Sequence, residues 1–234
     1  MYRYIKKEPR SERRFLKLLP FLTFTIGLII LSYAGWPLIS YQLESKIKFQ
    51  TGNLIKPYFS LTRYSSNNLV LGVGAKGEDL TKVENWLLPG QRRGEGGRVD
   101  FYSLTIPSLG IFNARVQVGG KDLSNNLIHY GGTAYPGSFG NAVIFGHSTL
   151  PLLFNPENYM TIFATLPTLD YGDEILVKFD GINYRYRIEE MIEVVPEDIS
   201  ILEQHFDDSY LTLVTCVPPG TYLRRLIVRA RLIK

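Results

Sequence analysis

The residue best suited to covalent chemistry in this chain is its single cysteine, Cys216. It ends the apolar run Leu211–Cys216 and is followed at once by Val-Pro-Pro-Gly. Proline cannot donate to the ladder of a central strand, so the predicted strand ends here and leaves Cys216 near an accessible rim. A cysteine attacks as its thiolate and needs a base or a cation beside it. The position alone leaves a reactive and an incidental cysteine equally open.

Three histidines could supply such a base. His147 follows the apolar run Asn141–Phe145 by two residues, so it also lies just past a predicted strand end. Two strand-end residues of one barrel can face each other across its rim. His129 lies in a turn-like sequence and His205 in a polar, helix-like stretch, and for both the pattern favours a solvated or hydrogen-bonded structural histidine. Taken alone, His147 also has a structural role as its commoner interpretation.

An arginine pair opens the last apolar run of the chain. Period-two alternation puts Leu226 on the core face and Arg225 on the opposite face, where it could line a groove. Arg224 shares the parity of the core face, so we expect it to turn outward at the strand start. A guanidinium beside a developing oxyanion stabilises acyl transfer. For a single arginine, a plain surface position is the commoner interpretation.

Together these residues resemble the motifs of the sortase family. The run Thr212–Cys216 (Thr-Leu-Val-Thr-Cys), followed nine residues later by Arg225 before an apolar strand, resembles the cysteine signature of the family. Gly140–Ser148 resembles its histidine segment, in which His147 precedes the cysteine by 69 residues. The resemblance covers roughly residues 101–234.

Two further segments extend this resemblance. His129–Ala134 is similar to the turn ahead of the histidine segment, and Ile106–Ile111 is similar to the opening strand of the family. The order of the segments, their spacings and an N-terminal anchor all agree with a sortase.

The resemblance implies a cysteine transpeptidase, or endopeptidase, that cuts a Leu-Pro-x-Thr-Gly-like sorting signal in secreted proteins. Cys216 would attack as a thiolate, and His147 would protonate the leaving amine and later accept the proton of the acceptor amine. Arg225 would hold the substrate and stabilise the oxyanion, and Thr215 would lend backbone or hydroxyl support. The implied partners are proteins with a C-terminal sorting signal and an amine of a peptidoglycan precursor or a pilin lysine.

No cofactor and no metal is expected. The sequence contains no cluster of histidine, cysteine and carboxylate residues at metal-ligand spacing. Some sortases bind calcium through surface carboxylates, but Asp170, Asp173 and Glu174 alone do not indicate such a site.

The elements that must position these side chains are predicted to be strands. Short apolar runs alternate with turn signals from Phe101 onward, and Asp180-Gly181 marks a hairpin. The predicted fold class is therefore mainly β: a sortase-like closed β-barrel of seven to eight strands with short helices, preceded by one transmembrane helix. The predicted strands are 104–107, 114–118, 141–145, 174–179, 183–190, 210–216 and 226–233.

The basic excess of the chain lies entirely at its N-terminus. Residues 1–17 hold seven basic and two acidic residues of a total of 26 and 22, which leaves 19 basic and 20 acidic residues in the rest. That balance argues against a nucleic-acid partner. Residues 18–39 are an uncharged, mostly apolar run of 22 residues, long enough to cross a membrane. The alternative is a cleaved signal peptide with a weak site at Ser32–Ala34.

The basic tail, residues 1–17, predicts a cytoplasmic N-terminus by the positive-inside rule. We therefore expect a single-pass protein of the cell membrane with an extracellular catalytic barrel over residues 101–234. Residues 40–100 are interpreted as an extracellular stalk or N-terminal extension.

Three features of this extension can be compared with a structure. Tyr41–Phe49 could continue the helix, and Leu69–Val73 could form a strand. Leu87–Gln91 faintly resembles a sorting signal and could act as a pseudosubstrate, although an accidental Leu-Pro pair in a loop is the commoner explanation. The Asp-Pro-aromatic lid motif of many pilus-building sortases is absent from the sequence.

Two other functions stay open. An L,D-transpeptidase would carry its cysteine shortly after a His-Gly pair, whereas Thr215 precedes Cys216 here. A non-enzymatic, membrane-anchored β-domain that binds a cell-envelope partner would leave Cys216 inert.

Overall fold

The computed structural model describes residues 10–49 and 100–233. The suggested strand 69–73 and the suggested pseudosubstrate 87–91 lie outside the described residues, as does most of the basic tail. The chain divides after Ser40 into two compact units. The sequence-based domain boundaries at residues 17, 39 and 100 stay predictions.

Helix α1 extends over Arg10–Lys48. Its segment Leu19–Ser45, 27 residues long, is the one described helix that is apolar and long enough to cross a membrane, and its large apolar side chains from Leu19 to Trp36 are exposed. The prediction of one such N-terminal helix is confirmed. The helix also continues beyond Tyr41, as the sequence suggested, and these last turns belong to the second unit.

The second unit contains a closed β-barrel of eight strands, which confirms the predicted fold class. The barrel order is β1-β2-β3-β4-β7-β8-β6-β5, and pairing of β1 with β5 closes it. The strands are β1 Phe101–Ile106, β2 Ile111–Val118, β3 Leu127–His129, β4 Gly140–Phe145, β5 Glu174–Phe179, β6 Ile182–Val194, β7 Ser209–Val217 and β8 Arg224–Leu232. The short helices are 3-10 turns at Pro107–Leu109, Pro151–Leu153, Leu166–Thr168 and Ser200–Leu202.

Each of the seven predicted strands overlaps a strand of the barrel, and the Asp180-Gly181 hairpin joins β5 to β6. Both hairpin residues have positive φ, 48° and 77°, as the favoured two-residue hairpin turn requires. The eighth strand, β3, was not predicted, because it is only three residues long and is soon followed by Gly131-Gly132.

Two local expectations from the sequence are wrong. Ile106–Ile111 is not an opening strand, because proline fixes φ and lacks an N–H, and Pro107 begins a 3-10 turn between β1 and β2. The prediction of a helix-like stretch around His205 is also wrong. The connection between β6 and β7 contains one three-residue 3-10 turn and leaves His205 exposed.

Alternating side chains of the strands form two apolar clusters. The first contains Leu211, Leu213 and Leu226, together with the 0% exposed Val217. The second lies on the opposite face of the same strands and contains Val214, Cys216 and Ile227. Cys216 and its immediate neighbours in β7 therefore point to different sides of the sheet.

The connection between β6 and β7 is fixed to this second face. The Gln204 side chain accepts hydrogen bonds from the Ala134 and Asn141 amides, at 3.2 and 3.0 Å. The side-chain amide of Asn141 donates through Nδ2 to the carbonyl of Ile201 at 3.1 Å, and its Oδ1 atom accepts from the Thr212 hydroxyl at 2.7 Å. The face that carries Cys216 is thus covered in part by a well-anchored connection.

Candidate active site

The parallel pairing of β4 and β7 brings two of the predicted site residues to the same level. Phe145 is in register with Val214, and the Gly146 amide continues the ladder by donating to the carbonyl of Val214 at 3.1 Å. His147 and Cys216 each follow two residues after this registered pair. Both side chains are nearly buried, each with 8% exposure.

Two reciprocal hydrogen bonds tie the segment around His147 to the end of β7. The Thr215 hydroxyl donates to the carbonyl of Gly146 at 2.8 Å. The Ser148 hydroxyl donates to the carbonyl of Cys216 at 2.6 Å. The residues on both sides of His147 are therefore bound to β7, which restricts how far the imidazole can move relative to the thiol.

Arg225 is brought to Cys216 by the antiparallel pairing of β7 with β8. The two residues are direct register partners, and the Arg225 Nη1 atom donates to the Cys216 Sγ atom at 3.4 Å. The same Nη1 atom donates to the carbonyl of Tyr222 at 3.2 Å, which orients the guanidinium. Arg225 is 5% exposed, so its charge acts on the sulfur with little screening by water.

Burial and charge act in opposite directions on the thiol. Burial raises the pKa of Cys216 above its ordinary value, and the positive charge of Arg225 lowers it by a smaller amount. The thiol is therefore the main form at neutral pH, and the thiolate needs a neighbouring cation to form. Arg225 supplies one such cation, and a protonated His147 would supply a second.

Thr215 follows strand parity, whereas Arg224 departs from it at the strand start. The Thr215 side chain is fully buried on the face opposite to Cys216, with its hydroxyl engaged by Gly146. A contact between Thr215 and an oxyanion stays a prediction. Arg224 turns outward, as expected from the sequence, and its Nε atom pairs with Glu193 at 3.3 Å.

The partners of His129 lie elsewhere in the barrel. His129 is 1% exposed at the end of β3, with Nδ1 2.8 Å from the Tyr102 hydroxyl and Nε2 3.1 Å from the Thr133 hydroxyl. Because the Thr133 hydroxyl donates to the carbonyl of Tyr130, it accepts from Nε2–H, and Nδ1 accepts from Tyr102. Burial lowers the pKa of His129 to about 4. The expected structural role of His129 as a hydrogen-bonded histidine is confirmed.

The carboxylates weighed as calcium ligands have other partners. Asp173 accepts a hydrogen bond from the Asp170 amide at 3.0 Å, and Asp170 pairs with Lys48 at 2.8 Å. Glu174 lies 3.6 Å from Arg187. Within residues 10–49 and 100–233 there is no group of three or more histidine, cysteine and carboxylate side chains that could hold a metal ion.

An open groove of about 820 Å³ lies along the outer surface of β1, β5 and β6. Its lining includes Ser103, Lys178 and Arg185. It does not include His147, Cys216 or Arg225. The arrangement able to activate a nucleophile is thus found at the barrel rim and not in this groove.

Comparison with known families assigns the barrel to a family. The model of the sortase domain matches residues 104–233, more than half of the chain and nearly all of the barrel. The chain belongs to the sortase family. Sortase D of Bacillus subtilis is 25% identical over 209 residues, which covers 86% of this chain and 89% of that protein.

Solved sortase structures share the barrel. A sortase D5 transpeptidase of Clostridium perfringens is 30% identical, with a TM-score of 0.50 over 58% of this sortase and 79% of that chain. A lid mutant of sortase A from Corynebacterium diphtheriae is 28% identical, with a TM-score of 0.51 over 60% of this sortase and 73% of that chain. The family is one of transpeptidases, and the predicted membership is confirmed.

Several residues that organise the site had no role assigned from the sequence. Ser148 lies inside the recognised histidine segment, but its bond to Cys216 depends on β7, which is 68 positions away. Asn141 is likewise a motif residue whose partners lie on a remote connection. The one sequence signal that could have indicated Ser148 is its position directly after His147, as a polar residue beside a candidate catalytic residue.

Proposed function

We propose that this sortase is a cysteine transpeptidase that cleaves a Leu-Pro-x-Thr-Gly-like sorting signal of secreted proteins and transfers the acyl group to an amine. The observation that carries the proposal is the 3.4 Å contact between Arg225 Nη1 and Cys216 Sγ at the end of β7. It puts a buried cation beside the only thiol of the chain. The registered strand ends of β4 and β7 add His147 to the same region.

In the first step, the Cys216 thiolate attacks the carbonyl carbon before the scissile bond. The tetrahedral intermediate carries a negative oxygen, which the guanidinium of Arg225 stabilises. Collapse of the intermediate breaks the C–N bond, and the leaving amine takes a proton from the imidazolium of His147. The products of this step are a thioester on Cys216, a neutral imidazole and the released C-terminal fragment.

In the second step, an acceptor amine attacks the thioester and gives its proton to the neutral imidazole. The C–S bond breaks, and the thiolate and imidazolium that entered the first step are restored. Splitting one acyl transfer in two in this way is the usual advantage of a covalent intermediate. The acceptor is an amine of a peptidoglycan precursor or the lysine of a pilin.

The site of action follows from the N-terminal helix. The basic residues before Leu18 favour a cytoplasmic N-terminus, so the barrel would lie outside the cell membrane. Secreted proteins with a C-terminal sorting signal would reach it there. No cofactor enters either step.

The proposal can be tested with the full chain in detergent micelles and a library of sorting-signal peptides. We expect a peptide thioester on Cys216 by intact mass spectrometry, and a new amide product when glycine or lysine peptides are added. Cys216→Ala should abolish both species. Arg231→Lys, a change at an exposed arginine of β8, should leave both yields near those of the unmodified chain.

The opposite results are equally clear. Peptide cleavage that persists in the folded Cys216→Ala variant would exclude the cysteine as nucleophile. A folded, unmodified chain that gives no thioester with any library peptide and does not react with thiol reagents would favour the non-enzymatic binding domain.

A further inference from the structure

The last turns of helix α1, here called the helix-end segment (Tyr41–Phe49), pack on the barrel. Phe49 is 7% exposed and belongs to the first apolar cluster, and Tyr41 packs against the same cluster. Lys48 pairs with Asp170 at 2.8 Å and donates to the carbonyl of Pro167 at 3.3 Å. The helix-end segment is therefore part of the catalytic unit and not only a link to the membrane helix.

A chain of polar contacts leads from this segment to the start of β8. The Tyr41 hydroxyl donates to Glu193 Oε1 at 2.6 Å. Glu193 Oε2 pairs with the Nε atom of Arg224 at 3.3 Å, and Arg224 Nη2 donates to the Glu193 carbonyl at 3.3 Å. Both Glu193 oxygens and its carbonyl are thus engaged, and the Glu193 side chain is only 12% exposed.

The register of the barrel explains why this chain of contacts matters for the proposed chemistry. Arg225 is paired with Cys216 on one side and with Val194 on the other. Arg224 and Glu193 are the residues that directly precede Arg225 and Val194, and Arg224 is the first residue of its strand. Fixing Arg224 to Glu193 therefore fixes the backbone from which Arg225 reaches the sulfur.

We propose that Tyr41 is a positioning residue for Arg225, acting by holding Glu193 against Arg224 at the start of β8. The proposal rests on the catalytic role of Arg225 put forward above. Without the Tyr41 hydroxyl, the Glu193 carboxylate can turn away from Arg224, and the strand start gains freedom. Displacement of the guanidinium by a fraction of an ångström weakens both its contact with the thiolate and its hold on the oxyanion.

The central test is Tyr41→Phe in the full chain, because this change keeps the ring and its packing and removes only the hydroxyl. We expect kcat for peptide acylation to fall by about tenfold, since small misplacements of catalytic groups have effects of this size, with KM little changed. We also expect the pH profile of Cys216 alkylation by iodoacetamide to move to higher pH. That profile is read without substrate, by intact mass.

Matched variants separate positioning from folding. Tyr33→Phe removes the hydroxyl of an exposed tyrosine on the same helix and should change neither readout. Lys48→Met breaks the ion pair with Asp170 and should lower the Tm while leaving the alkylation profile in place. Glu193→Gln should reproduce the effect of Tyr41→Phe. The two changes combined should lower kcat and shift the alkylation profile little more than either change alone.

An unchanged alkylation profile and acylation rate in a folded Tyr41→Phe variant would overturn the inference. An effect of Lys48→Met on the profile as large as that of Tyr41→Phe would also overturn it, because the segment would then act only through stability. Failure of the unmodified chain to cleave any sorting peptide would instead count against the proposed function, and the alkylation profiles would still test the role of Tyr41.

Discussion

The hydroxyl of Ser148 donates a 2.6 Å hydrogen bond to the carbonyl oxygen of Cys216. This bond joins the residue after the proposed acid and base directly to the backbone of the proposed nucleophile. A second bond, from Thr215 to the carbonyl of Gly146, joins the same two segments in the opposite sense. His147 is therefore held between two fixed neighbours. The position of its imidazole relative to the thiol depends on the hydroxyls of Ser148 and Thr215.

We expect Ser148→Ala to lower kcat for acylation by about tenfold or more, because the loop that carries His147 loses one of the two side-chain hydrogen bonds that join it to β7. Single-turnover kinetics with a cleavable peptide would measure the change. Ser148→Thr keeps the hydroxyl and should recover most of the rate. Ser108→Ala, at an exposed serine remote in sequence from β4 and β7, is the matched control, and an equal loss in both alanine variants would contradict the prediction.

Thr215→Val should destabilise the barrel as well as slow the reaction. Valine has nearly the shape of threonine, but the change leaves the carbonyl of Gly146 without its 2.8 Å donor in a fully buried place. Loss of one partner of a buried hydrogen bond costs about 1–3 kcal/mol. Urea unfolding followed by near-UV circular dichroism would measure this, with Thr215→Ser as the variant that keeps the bond. A Thr215→Val chain as stable as the unmodified one would contradict the assignment.

Arg225→Gln should raise the pKa of the Cys216 thiol further. The Arg225 charge lowers this pKa while burial raises it, so removal of the charge leaves burial unopposed. Alkylation of Cys216 should then begin at a higher pH, and acylation should fall by about a hundredfold or more as the oxyanion loses its donor. Arg231→Gln is the control on the same strand. A shift of the alkylation profile to lower pH would show that Arg225 does not act on the sulfur.

His129 should make the barrel sensitive to mild acid. Its pKa is about 4 in the folded chain against 6.5 in the unfolded chain, so the unfolded chain binds the proton first as the pH falls. Stability is therefore complete above about pH 6.5 and decreases as the pH falls toward 4, by a total of about 3 kcal/mol. Below pH 4 this contribution should change no further.

Urea unfolding at a series of pH values would measure the effect of His129. His129→Gln should be less stable at pH 7 but should lose the part of the pH dependence that lies between about 4 and 6.5. His205→Gln, at an exposed histidine, should keep that dependence. A pH dependence that survives in the folded His129→Gln variant would assign it to other groups.

The sequence allowed the central residues of the site to be predicted because their neighbours carry strong local signals. Pro218 marks the end of β7 next to Cys216, and the two-residue alternation of β8 separates Arg225 from Leu226. These signals depend only on the period of a strand and on the chemistry of proline, so they can be recognised without any knowledge of tertiary contacts.

The supporting contacts could not be predicted in the same way. Tyr41 and Glu193 are 152 positions apart, and nothing in either local sequence indicates that they meet. β3 was missed because a strand of three residues has no measurable alternation, and its place in the barrel is set by pairing with β2 and β4. Local pattern thus placed Cys216 and Arg225 at strand ends, and the resemblance to sortases proposed them as reacting groups. The barrel closure determines which side chains hold them in place.

The parallel pairing of β4 with β7 also determines at which stage of folding the candidate site is assembled. His147 and Cys216 are 69 residues apart in the chain and cannot be brought to the same level by local structure. Their segments come together only with the long-range pairings of the barrel. Until then Cys216 is an ordinary side chain without a buried arginine beside it. In the proposed mechanism, folding of the barrel therefore precedes reactivity, and a chain that has not completed its fold would carry a thiol with no capacity for acyl transfer.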